Sequence, residues 1–158
     1  MGVNQRRQIV MSAEEIARFL NEQRVATLAT IAPSGQPHLV AMWYAVIDGV
    51  MWFETKAKSQ KAVNLSRDSR VTVMIETGHT YDTLRGVAFE GHATIVDDPE
   101  ALWAVGVSVW ERYNGPYTEQ ARPSRFDQIG RKAAYAGGTY RGQIEALLAG
   151  SVGVSKQL

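Results

Sequence analysis

The nine residues from Phe53 to Lys61 hold the sequence's most concentrated set of side chains that could bind an anion. They read Phe-Glu-Thr-Lys-Ala-Lys-Ser-Gln-Lys, and a helical pattern follows them. From Glu54 to Arg70 there are five basic and two acidic residues, a local charge of +3. A helix N-terminus adds unbonded N–H groups and a positive dipole end, which attract an anion. The residues alone leave two interpretations open: a phosphate-binding turn, or a basic loop in solvent.

The whole chain is consistent with one ordinary globular domain. It has 158 residues, a formal net charge of +1 and no cysteine. That length predicts a single domain over residues 1–158, and the small charge predicts neither nucleic acid nor a membrane surface as a partner. The lack of cysteine excludes disulfides and thiolate chemistry. Residues 1–8 lack the apolar core of a signal peptide, and no apolar run reaches transmembrane length, so we expect a cytoplasmic protein.

Three apolar, β-branched runs predict a β-meander that leads into the basic segment. The dipeptide Asp48-Gly49 between the last two runs favours a type I′ hairpin turn. The middle run is apolar on both faces, so we expect it to be covered on both sides. One side suits a barrel interior, and the other must meet a helix, a ligand or a second subunit. The predicted strands span residues 25–31, 38–47 and 50–54.

Helix start signals mark several of the remaining elements. Ser12 and Glu15 form a capping box that begins the first helix, and Asp98-Pro99 begins a later one. That later helix has two apolar stripes, so it packs within the domain, forms a dimer interface or lines a ligand site. The stripes are Leu102, Val105 and Val109, and Trp103, Val107 and Trp110. The predicted helices span residues 12–21, 58–65, 100–112 and 126–134, and the further strands span 70–76 and 87–96, with a polar loop at 78–85.

The order of these features resembles a known family. A strand followed by Thr-x-x-x-Ser-x-Lys and a helix, after a meander with Ala-Thr-Leu-Ala-Thr and Gly-x-Pro-His, is similar to the split-barrel flavoproteins related to pyridoxamine 5′-phosphate oxidase. In that oxidase the stretch reads Tyr-Thr-Asn-x-x-Ser-Arg-Lys and holds the flavin phosphate. The threonine, serine and final lysine correspond to Thr55, Ser59 and Lys61, while Lys56 replaces the asparagine and Gln60 the arginine.

The resemblance covers about residues 12–111 and implies a fold. The implied fold is mainly β (α+β), a six- to seven-stranded antiparallel split β-barrel with flanking helices that assembles as a homodimer. The pattern is closest to the branch of reductases that use the deazaflavin coenzyme F-420, where lysine-rich turns grip the cofactor phosphate. In this chain Lys56 and Lys58 supply charge in place of the missing arginine. The tail from about residue 136 matches no part of the family pattern, and we assign it no role.

The resemblance also implies an activity. It predicts an oxidoreductase that transfers a hydride between bound coenzyme F-420 and a planar conjugated small molecule. Such a cofactor performs the hydride chemistry, so no catalytic acid or base is expected from the protein. Two alternatives remain open. One is an FMN-binding oxidase or flavin reductase of the pyridoxamine 5′-phosphate oxidase type, and the other is a non-catalytic protein that binds a flavin or haem.

The cofactor site implied by the resemblance combines the basic turn with the middle strand of the meander. The ring lies along that strand, and a second subunit closes the pocket. By residue type alone, a place in the hydrophobic core is the favoured interpretation of Met42 and Trp43. The histidines His38, His79 and His92 lack metal-ligand spacing, so no metal site is expected. The predicted cofactor-binding residues are Val40, Ala41, Met42, Trp43, Thr55, Lys56, Lys58, Ser59, Gln60, Lys61 and Glu76, with residues 78–85 near the mouth of the pocket.

Overall fold

The computed structural model describes residues 11–80 and 83–118, together with the backbone of residues 132–137. In these residues the chain forms three helices and seven strands. The helices are α1 (Ala13–Glu22), α2 (Gln60–Arg67) and α3 (Pro99–Asn114). The strands are β1 (Ala26–Ile31), β2 (Pro37–Met42), β3 (Ala45–Ile47), β4 (Val50–Lys56), β5 (Arg70–Thr77), β6 (Arg85–Val96) and β7 (Lys132–Gly137).

The strands form one antiparallel sheet in the order β2-β1-β5-β6-β7-β4-β3. Strand β6 has 12 residues, so it pairs with β5 along its first part and with β7 along its last part. The two ends of the sheet are β2 and β3, and only Trp43 and Tyr44 separate them in the chain. The two ends therefore come together at these two residues. The mainly β, α+β class and the upper strand count of the prediction are confirmed.

The single strand predicted over residues 38–47 is wrong, because the chain breaks into β2 and β3 at Tyr44. This tyrosine is 0% exposed. Its backbone N–H donates to Tyr113 Oη at 3.1 Å, and its own hydroxyl donates to the carbonyl of Leu20 at 2.7 Å. An N–H bonded to a side chain is not available to a neighbouring strand. The ladder therefore stops here, and the end of α3 and the end of α1 hold the break.

The expectation that the middle strand is covered on both faces stays a prediction, since the single chain covers only one face of β2. Val40 and Met42 pack against the core, while Leu39 is 61% exposed and Ala41 is exposed as well. The outward face of β2 continues across β1 onto β5, where Met74 is 48% exposed. One chain therefore leaves an apolar sheet face open.

Local capping and turn chemistry sets several boundaries as predicted. The N–H of Ser12 donates to the Glu15 carboxylate at 2.8 Å, and the N–H of Glu15 donates to Ser12 Oγ at 3.2 Å. Asp48 and Gly49 have φ angles of 51° and 75°, the positive values that a type I′ turn requires at both positions. Asp98 caps α3, where its carboxylate accepts the N–H of Ala101 at 2.8 Å. These three predictions are confirmed.

Helix α3 packs against β3 and β4 through one of its two predicted stripes. Leu102, Val105 and Val109 are buried there together with Ala45. The second stripe, with Trp103, Val107 and Trp110, is half-buried. No described helix has the length and apolar content that are needed to cross a membrane. The larger apolar cluster lies between α1, α2 and the curled sheet and includes Phe19, Leu20, Leu28, Tyr44, Phe53, Ala62, Leu65, Ile75 and Phe89.

The helix predicted over residues 126–134 is wrong where the structure describes it. Residues 132–137 form β7, which pairs with β4 on one side and with β6 on the other. Alanine and glycine have weak strand propensity, so this segment has no local strand signal, and pairing with two neighbours determines its structure. Gly137 is the last residue of β7. Residues 126–131 and 138–158 lie outside the described residues.

Candidate functional site

A cleft of about 430 Å³ opens between the end of β4, the break between β2 and β3, and α3. Its volume lies within the roughly 300–1,000 Å³ of typical small-molecule sites. The cleft brings together six of the eleven residues predicted for the cofactor site. The lining residues are Met42, Trp43, Glu54, Thr55, Lys56, Ser59, Lys61 and Val109.

The turn between β4 and α2 holds two hydroxyl groups side by side in the cleft. The N–H of Ser59 donates to the carbonyl of Lys56 at 2.9 Å, which closes the turn. Ser59 then caps α2, because its Oγ accepts the N–H of Ala62 at 3.4 Å. Thr55 Oγ1 lies 3.1 Å from Ser59 Oγ, so the two hydroxyls are hydrogen-bonded. The Thr-x-x-x-Ser spacing of the sequence therefore corresponds to a direct contact.

The first turn of α2 presents two backbone N–H groups that have no partner among the described residues. The first N–H groups of a helix have no intrahelical carbonyl to bond. Those of Ser59 and Ala62 are bonded to the turn and to the cap, whereas those of Gln60 and Lys61 are not. The first turn of α2 contains no acidic residue. These N–H groups and the positive dipole end favour an anion at this position.

Two of the three lysines of the basic segment reach the cleft. Lys56 and Lys61 line it, whereas Lys58 is exposed and does not. The predicted helix start at Lys58 is also wrong, since α2 begins at Gln60 with Ser59 as its cap. Burial lowers the pKa of the Lys61 ammonium below its usual value. An anion beside this group would offset its lost hydration.

Two residues that the sequence did not assign to the site also line the cleft. Glu54 lies in β4 directly before Thr55, and with Lys56 and Lys61 it brings the formal charge of the lining to +1. In the sequence, Glu54 is one of two acidic residues in a mainly basic segment, and no pattern assigned it to the site. Val109 belongs to the buried stripe of α3 and reaches the cleft from the opposite element. The helical spacing of Val109 in the sequence indicated only that this residue faces the core.

Trp43 forms the wall of the cleft at the strand break, and an aromatic residue outside the cleft packs behind it. Trp43 stacks on Tyr113 with ring centroids 4.2 Å apart and planes 9° apart. Trp43 remains 46% exposed in spite of this stack. Tyr113 was not predicted, because it reaches the site from the end of α3 and no local pattern relates it to Trp43.

Four other predicted residues lie elsewhere. Val40 packs against the core. Ala41 and Glu76 are exposed on the outward face of the sheet, at the same end as Trp43. The side-chain amide of Gln60 donates to Asn64 Oδ1 at 2.8 Å, so Gln60 secures α2. None of the described residues of the 78–85 loop lines the cleft; residues 81 and 82 lie outside the described residues.

Asn64 anchors α2, and with it the turn of the cleft, to β1. Its side-chain amide donates to Thr30 Oγ1 at 3.0 Å, and both residues are 0% exposed. We expect Asn64→Ala to lower the free energy of unfolding by about 1–3 kcal/mol, because buried polar groups lose their partner. Urea denaturation measures this. Val63→Ala, at a 51% exposed position of the same helix, should change it by less than about 0.5 kcal/mol, and an equal loss in both variants would contradict the anchoring role.

The histidines do not form a metal site in the part of the chain that is described. Over residues 11–80 and 83–118, no three His, Asp or Glu side chains come close enough to hold a metal ion. His92 Nδ1 lies 2.9 Å from Ser69 Oγ at the surface. His38 lies on β2 and His79 in the loop after β5.

Residues 12–137 match the family model described as pyridoxamine 5′-phosphate oxidase. The crystal structure of a conserved hypothetical protein from Mycobacterium tuberculosis is 63% identical over 81% of this chain and 80% of that one, with a TM-score of 0.77. An F-420 reductase is 26% identical over 76% of this chain and 89% of that one, with a TM-score of 0.59. An FAD-binding protein from Mesorhizobium loti shares the fold at 21% identity, over 80% of this chain and 88% of that one, with a TM-score of 0.58. No curated protein sequence matches.

Proposed function

Because the chain belongs to the pyridoxamine 5′-phosphate oxidase family, we propose that it is an oxidoreductase that transfers a hydride between bound coenzyme F-420 and a planar conjugated small molecule. The observation that carries the proposal is one cleft in which a hydroxyl pair and two lysines lie close to a half-exposed tryptophan. The F-420 reductase at 26% identity supports the deazaflavin as the cofactor.

The donor groups of the cleft fit a cofactor with a phosphate and a flat ring. Phosphate oxygens would accept hydrogen bonds from the one hydroxyl proton that the Thr55–Ser59 pair does not use internally, from the two open N–H groups of α2 and from the ammonium groups of Lys56 and Lys61. Met42 and Trp43 offer an apolar surface for the ring. When it is bound, such a cofactor supplies the hydride chemistry through its ring. The residues of this chain bind and orient it.

FMN is the second candidate, because Thr55, Ser59 and Lys61 match the phosphate-binding residues of the FMN-dependent relatives. The missing arginine argues against it. Arginine binds a phosphate with two parallel hydrogen bonds, whereas lysine acts as a point charge. The amide of Gln60, which stands at the arginine position, is already bonded to Asn64. The turn therefore relies on Lys56 and Lys61, which favours the deazaflavin.

Anaerobic turnover tests the proposed function. Reduced coenzyme F-420 is mixed with the enzyme and menadione, a planar quinone, and the absorbance of the oxidised deazaflavin is followed. We expect multiple turnovers with coenzyme F-420 and none above background when reduced FMN replaces it. Turnover with FMN alone would favour the FMN oxidase or flavin reductase. Tight binding without turnover on any acceptor would favour a non-catalytic binder and contradict the enzymatic role.

We also propose that two copies of the chain pack through the outward face of β2, β1 and β5 to form a closed barrel dimer with shared pockets. This face has a shallow cavity of about 740 Å³, whose lining includes Ala29, Ile31 and Leu39. Monomeric proteins rarely expose a large apolar patch without a partner. Ala41 and Glu76 lie on the same face. Packing of a second copy on this face therefore agrees with the shared pocket that the family resemblance implies for these two residues.

Leu39→Glu tests this interface. The substitution puts a charge on the most exposed large apolar side chain of the described residues, at 61% exposed. We expect it to convert a dimer to a monomer in sedimentation velocity, and to weaken cofactor binding with it, because a buried unpaired carboxylate is strongly unfavourable. Val63→Glu, at a 51% exposed position on α2, should leave the dimer intact. A wild-type monomer, or a dimeric Leu39→Glu variant, would show that this face is not the interface.

A further inference from the structure

We propose that Tyr113 is a positioning residue that holds the Trp43 indole as a rigid, flat wall of the cleft and so selects planar conjugated ligands. The inference rests on the proposed function and deepens it by naming what sets the ligand's shape. It is carried by the stack between the two rings, with centroids 4.2 Å apart and planes 9° apart.

Tyr113 does not line the cleft, so it acts on a ligand only through Trp43. It covers one face of the indole. Trp43 is still 46% exposed and lines the cleft, and the stack with Tyr113 leaves its second face free of that ring. Aromatic rings stack on such a face with centroids roughly 4.5–7 Å apart. The uncovered indole face therefore suits a flat ring and gives a puckered saturated ring less contact.

Tyr113 is itself held in place at its hydroxyl. Its Oη donates to the carbonyl of Arg24 and accepts the N–H of Tyr44 at 3.1 Å. The next helical residue toward the N-terminus, Arg112, donates to the carbonyl of Gln23 at 2.7 Å, and its guanidinium lies 4.6 Å from the centroid of the Tyr44 ring. The end of α3 is therefore fastened both to the residues after α1 and to the residue that follows Trp43.

This fastening matters because Trp43 lies in the break between two strands. A half-exposed side chain outside a regular strand can populate several rotamers. The stack with Tyr113 restricts the indole to one of them before a ligand arrives. A wall ordered in advance binds more tightly, since the ligand does not have to order it.

A double-mutant cycle on the full-length protein tests the proposal, with lumichrome as the probe. Lumichrome is a flat tricyclic ring without a phosphate, so its binding reports on the wall and not on the basic turn. We expect Tyr113→Leu to weaken lumichrome binding by about two- to twelvefold, the factor that corresponds to one aromatic stack. In a Trp43→Leu background the same change should have almost no further effect, because Tyr113 acts through Trp43.

Two controls separate positioning from general destabilisation. Tyr113→Phe keeps the stacked ring but loses the hydroxyl's bonds to Arg24 and Tyr44, so it should weaken lumichrome binding less than Tyr113→Leu does. Tyr113→Leu should bind inorganic phosphate as wild type does, because the basic turn is unchanged. Equal losses from Tyr113→Leu with and without Trp43 would overturn the proposal, as would a wild-type protein that binds no lumichrome.

The remaining outcomes keep the two proposals distinguishable. Should Tyr113→Leu not fold, Trp43→Leu and Tyr113→Phe decide: a larger loss with Trp43→Leu than with Tyr113→Phe supports the wall, and equal losses overturn the role of the stack. Should the cycle succeed while hydride transfer to menadione is absent, the proposed function fails and the positioning role stands.

Discussion

Replacing Lys56 and Lys61 together by alanine is expected to weaken the binding of coenzyme F-420 by about 100-fold or more, whereas Lys58→Ala changes it by less than about threefold. Hydrogen bonds to charged groups each contribute about 1.5–3 kcal/mol. Of the three lysines, only Lys56 and Lys61 line the cleft. Fluorescence titration of the deazaflavin measures both affinities. The sequence alone treats the three lysines alike, so this difference tests the geometry of the turn.

The same variants also separate binding from chemistry. At saturating cofactor, the Lys56→Ala/Lys61→Ala variant should keep most of its turnover rate, because the lysines hold the phosphate and not the reacting ring. Lys58→Ala removes one positive charge, as Lys56→Ala or Lys61→Ala does, so it controls for long-range electrostatics. If Lys58→Ala weakens binding as much as Lys56→Ala or Lys61→Ala does, long-range charge and not contact accounts for the affinity.

The second large effect is a loss of cofactor affinity at alkaline pH. Burial lowers the pKa of the Lys61 ammonium from its usual 10.5, so this group loses its proton earlier than an exposed lysine. The anionic cofactor binds the protonated form more tightly. Affinity should therefore begin to fall at a pH below the ordinary lysine pKa of 10.5, and by about tenfold or more once Lys61 is deprotonated, since one charged hydrogen bond is lost.

Rising pH has the opposite effect on the stability of the free protein. The pKa of Lys61 is lower in the folded state than in the unfolded state, so its charged form disfavours folding at pH values below the folded pKa. That penalty decreases as the pH rises from the folded pKa to the unfolded pKa, so stability increases over this interval. Lys61→Arg keeps its charge in this range and should abolish the alkaline loss of affinity. An unchanged pH profile in Lys61→Arg would assign the titration to another group.

The parts of the fold that local chemistry determines could be predicted from the sequence. The Ser12–Glu15 box, the Asp48-Gly49 turn and the Asp98 cap each depend on residues within a few positions of one another. The same holds for Thr55 and Ser59, which lie four residues apart on either side of one turn. The basic part of the site was therefore visible as a sequence pattern.

The aromatic part of the site depends on contacts between distant residues and was only half predicted. Trp43 could be inferred from its family position, but Tyr113 reaches it from α3. The break after β2 has the same origin, because Tyr44 bonds to Leu20 and to Tyr113. By periodicity alone the run over residues 38–47 is an uninterrupted strand. Only the packing of both helices against Tyr44 divides it.

Strand β7 shows the limit of propensity in another way. Its residues, Lys-Ala-Ala-Tyr-Ala-Gly, favour a helix more than a strand. The open edges of β4 and β6 bond to it on both sides, and these backbone hydrogen bonds outweigh the weak preference of the side chains. The sequence of residues 132–137 alone does not indicate that this segment pairs with β4 and β6.

Parallel equilibrium titrations of the purified protein with coenzyme F-420 and with FMN test the central claim most directly. We expect coenzyme F-420 to bind at least tenfold more tightly than FMN, with an affinity that requires Lys56 and Lys61 and tolerates Lys58→Ala. Tighter binding of FMN would contradict the choice of cofactor. Failure of both to bind, or binding that Lys56→Ala/Lys61→Ala leaves unchanged, would contradict the assignment of the cleft.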